Sequence, residues 1–75
     1  MIPELAQAVL QCDLPQYGLE RGDIGTVVMV HEQGAGYELE FTALDGDTLA
    51  VVTLSADQVR PVGPGEIAHS RELPG

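Results

Sequence analysis

Gly18-Leu19-Glu20-Arg21-Gly22-Asp23-Ile24-Gly25-Thr26-Val27-Val28-Met29-Val30 is the stretch on which the fold turns. Glycine punctuates its first half, so the chain can fold back tightly at Gly18 and Gly22, where positive φ carries no steric penalty. The second half is β-branched. Valines lose rotamer freedom on a helix and pack well on a pleated surface, so residues 25–31 read as a strand entered directly from a turn.

Working outward, the neighbouring segments read the same way. Residues 8–12, Ala-Val-Leu-Gln-Cys, form an earlier strand that stops at Asp13-Leu14-Pro15, where proline removes a ladder donor. Residues 13–23 then make a long loop whose Leu14, Tyr17 and Leu19 predict that it folds back over the end of the sheet. Downstream, Gln33-Gly34-Ala35-Gly36 is a turn with two glycines available for positive φ. Residues 37–41 alternate cleanly, with Tyr37, Leu39 and Phe41 on one face and Glu38 and Glu40 on the other. Asp45-Gly46 supplies a hairpin signal before a strand at 48–54. Residues 55–58 fit a single 3₁₀ turn, and residues 59–62 a short last strand. The first seven residues fit either one helical turn or an extended lead-in.

The expected fold class is all-β: a small five-stranded antiparallel barrel in residues 1–62 with a flexible tail over 63–75, set off by Gly63-Pro64-Gly65. The expected core is Val9, Ile24, Val28, Val30, Tyr37, Leu39, Phe41, Leu49, Val51 and Val59. The faces of the second and fourth strands are ambiguous, because both carry apolar residues at both parities. Seventy-five residues make one domain of modest stability, and an apolar fraction of 44% is enough to build a core.

Twelve acids stand against three arginines and no lysine, a formal charge of −9. Phosphate binding rests on Lys and Arg displacing counterions, so this balance opposes DNA or RNA as a ligand and favours a protein partner with a basic surface. Cys12 is the single cysteine, no run approaches a membrane span, and the N-terminus lacks the features of a signal peptide. A cytoplasmic protein with no membrane association is the expectation.

No chemistry-bearing constellation emerges. A nucleophile needs an oriented base, and Cys12 with His31 or His69 is the one conceivable pair; Cys12 ends an apolar strand and His69 lies in the tail. His31 and Glu32 project to opposite faces, and Asp45 with Asp47 falls far short of a calcium ligand set. Gly18, Gly22 and Gly25 precede a strand with no Gly-Lys-Ser/Thr, so they form no phosphate cradle. The reading is a non-enzyme with no cofactor and no metal. The partner-binding candidates are Tyr17 and Arg21 in the long loop, types enriched at binding hot spots, with Glu38 and Glu40 on the sheet face. Glu32, Asp45 and Asp57 extend the acidic surface.

The phrases Asp13-Leu14-Pro15, Gly18-Leu19, Gly22-Asp23-Ile24-Gly25-Thr26-Val27-Val28, Tyr37-Glu38-Leu39-Glu40-Phe41 and Val59-Arg60-Pro61-Val62 together resemble a family of small bacterial proteins known only as a domain of unknown function, with an SH3-like fold. The glycine-rich phrase is also similar to the ribosomal KOW motif and to the barrel of the nitrile hydratase β subunit. The resemblance implies an SH3-like barrel and an adaptor-like role, and carries no catalytic residue onto this chain. Three functional expectations follow: an adaptor or accessory module, an antitoxin or immunity-type protein masking a basic partner, and a KOW-like RNA-associated module. Homo-oligomers through edge strands are a further possibility for the partner.

Overall fold

The computed structural model describes residues 1–73. Five antiparallel strands form one sheet: β1 (Gln7–Leu10), β2 (Ile24–His31), β3 (Gly36–Thr42), β4 (Thr48–Ser55) and β5 (Val59–Pro61), in the spatial order β4-β3-β2-β1-β5. Three 3₁₀ turns, Pro15–Tyr17, Glu32–Gly34 and Ala56–Gln58, lie between them. The all-β expectation holds. The sheet is not closed, however: β4 and β5 are its two edges, so "barrel" describes it only loosely.

Pairing with β3 decides which side of each strand faces the core. Leu39 stands opposite Val27 on one side and Val52 on the other, and Tyr37 stands opposite Val30 and Leu54. These side chains, with Phe41, Ala8, Leu10 and Val59, form the inner face. Ile2, Leu14 and Leu19 close its ends. Tyr37 is buried with a polar tip, and its hydroxyl oxygen accepts the Ile2 amide at 3.0 Å.

Five of the expected core residues are buried: Val9, Tyr37, Leu39, Phe41 and Val59. Three others are exposed: Val28 at 39%, Leu49 at 39% and Val51 at 53%. Their places are taken by Val27, Val52 and Leu54. For β4 the reason is register, since Val51 pairs with Glu40 and shares its outward side. For β2 it is a bulge between Val27 and Met29. One extra residue at Val28 reverses the parity, so Val27 points inward before it and Val30 after it. Ile24 and Val30 are partly buried, Val30 against the core and Ile24 opposite Val9 on the outer face.

The turns also differ in detail from the expectation. Gly34 takes positive φ but Gly36 does not; Glu32 and Gln33 adopt the left-handed region instead. Gly36 is a strand residue, and a Cβ there would lie 3.1 Å from the Leu54 carbonyl oxygen. In the long loop, Leu14 and Leu19 pair with each other and are buried, while Tyr17 stays outside. The N-terminal residues form a turn at Glu4 and Leu5 and then run directly into β1.

Candidate functional site

The outer face of the sheet divides into two regions. Across β2, β3 and β4 it is open, and carries Thr26, Met29 and His31, then Glu38 and Glu40, then Val51 and Thr53. Glu38 Oε2 lies 2.9 Å from His31 Nε2, and Glu40 Oε2 accepts the Thr48 hydroxyl at 2.9 Å. Both carboxylates are half-buried, flanked by the exposed apolar side chains of Met29 and Val51. The alternation in β3 is therefore realised: the two glutamates share one side, two residues apart along the strand.

Across β5, β1 and β2 the same face is covered. Val9 pairs with Ile24 and with Arg60, on the side of β1 opposite the core, yet it is only 5% exposed. The segment after β5 lies over it, Val62 and residues 66–69 lining a hollow with Val9 and Ile24. This segment has no strand or helix through Leu73, and it is held at two points. At the first, Arg60 donates from both terminal nitrogens to Glu66, each at 2.7 Å, and the Gly63 amide also donates to Glu66. The Arg60 guanidinium and the Gly63 amide hold the Glu66 carboxyl down at about 2.

At the second, Arg71 reaches the long loop. Its Nε donates to Asp23 Oδ1 at 3.0 Å, and its Nη2 donates to Asp23 Oδ2 at 2.5 Å and to the Gly18 carbonyl at 3.0 Å. Glu20 Oε1 stands 3.6 Å away. Burial on its own raises the Asp23 carboxyl. The Arg71 hydrogen bonds, the Glu20 amide and the Arg71 charge outweigh it and hold the group below its ordinary range. Of the expected tail over 63–75, Pro74 and Gly75 lie outside the described residues.

Beneath this strap lies a half-open cavity of about 420 Å³. Ile24, Thr26, Glu40 and Leu49 contribute from the sheet, Leu19 and Asp23 from the loop, and residues 68–71 from the strap. Glu40 thus borders the same space as the base of the long loop. Tyr17, 47% exposed, and Arg21 do not border it. The Arg21 backbone amide donates to Asp13 Oδ1 at 2.9 Å, and its exposed guanidinium makes no ion pair among the described residues.

Sequence reasoning did not find Asp23, Arg71 or the Gly18 carbonyl as a unit, since 48 positions separate the two ionised side chains. The available signal was scarcity: in a chain with three arginines, one in the tail has many acids to choose from. Cys12 and His31 have separate partners, with Gln58 Nε2 3.7 Å from the Cys12 sulfur. Among the described residues no three His, Cys, Asp or Glu side chains gather to hold a metal, and no helix is long and apolar enough to cross a membrane.

No curated protein and no solved structure matches the chain. A family model does, over residues 4–61, which spans all five strands and stops at the end of β5. The chain belongs to the family described as a domain of unknown function, DUF4926.

Proposed function

We propose that this protein is a small acidic interaction module, an adaptor or accessory protein that docks a basic protein partner on the open outer face of β2, β3 and β4. The observation that carries the reading is the composition of that face, where exposed Met29 and Val51 flank Glu38 and Glu40. Apolar side chains beside carboxylates suit a partner that supplies both an apolar anchor and Arg or Lys. The charge of −9 acts in the same direction, chiefly by speeding encounter. Tyr17 and Arg21, exposed on the long loop, are the candidates for widening the contact. An immunity-type role would use the same chemistry against a basic active site. A KOW-like role suits the charge less well, because Arg60 and Arg71 are already paired with Glu66 and Asp23. We read the strand order as SH3-like and the setting as a bacterial cytoplasm.

The test places a photo-crosslinking side chain at Thr53 in the native host and identifies the captured protein. Affinity is then measured against salt and for Glu38→Lys/Glu40→Lys and Tyr17→Ala. The double charge reversal should weaken binding at least about tenfold and flatten its salt dependence. Unchanged affinity in both variants would place the contact elsewhere.

A second reading rests on β4 itself. This edge strand runs eight residues with no charge and no proline, the devices that ordinarily keep edges from pairing. A two-fold axis normal to the sheet preserves its faces, so facing residue numbers must sum to an even value. Centring on Val51 sets it against its own copy and Leu49 against Thr53. Self-repulsion at −9 per copy opposes this pairing, so association should rise with salt and vanish in Val51→Lys. A strict monomer at millimolar protein and high salt excludes it.

A further inference from the structure

We propose that residues 18–23 form a receptor for an arginine side chain of the protein partner, occupied in the resting chain by its own Arg71. The proposal rests on the reading of this protein as a module for a basic partner, and adds a place and a mode of binding. The partner segment it fits carries an arginine followed two positions later by an apolar residue, as Arg71 is followed by Leu73.

The acceptors are held by the framework and not by Arg71. Asp23 Oδ2 accepts the Glu20 amide at 2.8 Å, and the Asp23 amide donates to the Glu20 carbonyl at 3.0 Å. On the other side, the Leu10 amide of β1 donates to the Asp23 carbonyl at 2.9 Å, and the Gly22 amide donates to the Leu10 carbonyl at 2.9 Å. Gly18 sits in the left-handed region at φ +70°, with its amide on the Pro15 carbonyl at 3.1 Å. The seat therefore keeps its shape when its occupant leaves, and a preorganised carboxylate binds a planar guanidinium through both oxygens at low entropic cost.

The occupant, by contrast, is attached by side-chain ion pairs and not by the backbone ladder. Among the described residues, no backbone–backbone hydrogen bond joins residues 62–73 to the sheet. Ile67, in mid-strap, is 93% exposed. The cavity of about 420 Å³ between the strap and Ile24, Thr26 and Leu49 shows that the strap bridges this surface and leaves it incompletely filled. A segment with no ladder bonds and its central apolar side chain in solvent belongs to the low-stability end of a fold. Releasing it leaves Asp23 and Glu20 without a cation in a chain of charge −9, which an incoming arginine restores. Leu73 borders the same cavity as Leu19, so an apolar residue two positions beyond the arginine has somewhere to go.

The experiment uses the full chain and the capped hexapeptide AHSREL, the sequence of residues 68–73, added in trans. Binding is followed by the amide resonances of Gly18 and Asp23. R71A, with its seat vacated, should bind the peptide saturably. The wild-type chain should bind it at least about tenfold more weakly, because its own strap competes. R71A/D23N should not bind, and the lysine peptide AHSKEL should bind R71A about tenfold more weakly, since an ammonium cannot span two carboxylate oxygens. Equal binding by R71A and wild type, or none by a folded R71A, overturns the proposal. Loss of dispersed resonances in R71A also overturns it, by making Arg71 a structural clamp. Failure here leaves the outer-face reading standing, since that reading is tested separately by Glu38→Lys/Glu40→Lys.

Discussion

The ring of Phe41 lies against the bare Cα of Gly25, so close that a Cβ at Gly25 would stand 2.9 Å from Cε1 and 3.1 Å from Cζ. Glycine is required here by packing and not by backbone angle, because Gly25 is an ordinary strand residue without positive φ. The same hypothetical Cβ would be 3.1 Å from the Glu40 carbonyl oxygen, so neither neighbour can yield cheaply.

Gly25→Ala should therefore cost about 1–3 kcal/mol, the range for overpacking a filled core. For a domain of this size each kcal/mol lowers Tm by roughly 4–8 °C, which thermal unfolding would resolve. A neutral Gly25→Ala would show that Phe41 can move aside.

Val27 and Val28 separate the inner and outer sides of the β2 bulge. Val27→Ala removes two methyl groups from a fully buried site and should cost about 2 kcal/mol once the residual cavity is included. Val28→Ala, at an exposed position, should stay within about 0.5 kcal/mol of wild type. Chemical denaturation checks both, and the reverse order would place the bulge elsewhere.

Gln33 sits at φ +59° in the turn between β2 and β3, a conformation that an L side chain resists. Gln33→Gly removes that cost, about 1 kcal/mol, against some added freedom in the unfolded chain. A net gain of about 0.5 kcal/mol in denaturant unfolding is the expected outcome, and a loss would show that the Gln33 side chain contributes more than its backbone strain takes away.

Asp23 gives the strap a pH dependence whose sign is determined. Its folded value lies below the ordinary 3.8, so the stabilisation it contributes is present above that value and is lost as pH falls through the folded one. Glu66, held at about 2, loses its contribution between its ordinary 4.5 and that value. The Arg71 Nε–H resonance should move toward its free position as pH falls below the ordinary aspartate range in the wild type. In Asp23→Asn it should be near that position already at pH 7. An Arg71 signal that titrates identically in both chains would remove Asp23 as the cause.

Much of the architecture was legible in residue order because the causes were local. The strict alternation of Tyr37, Leu39 and Phe41 with Glu38 and Glu40 assigns both faces of β3 before any partner strand is known. The turn formers between the β-branched runs set the number and order of the strands, and the charge of −9 follows from counting. Val27 and Val28 are chemically identical, so only the bulge opposite Glu38 and Leu39 could tell them apart. Val51 and Val52 are likewise resolved only by their partners Glu40 and Leu39. Whether the sheet closes depends on the distance between β4 and β5, which no local pattern encodes. The seat at Asp23 is the extreme case: its guanidinium arrives from 48 positions away, brought there because the chain leaving β5 crosses the outer face over Val9. Periodicity reports which side of an element is apolar; contact between distant ionised groups is decided by the path of the folded chain.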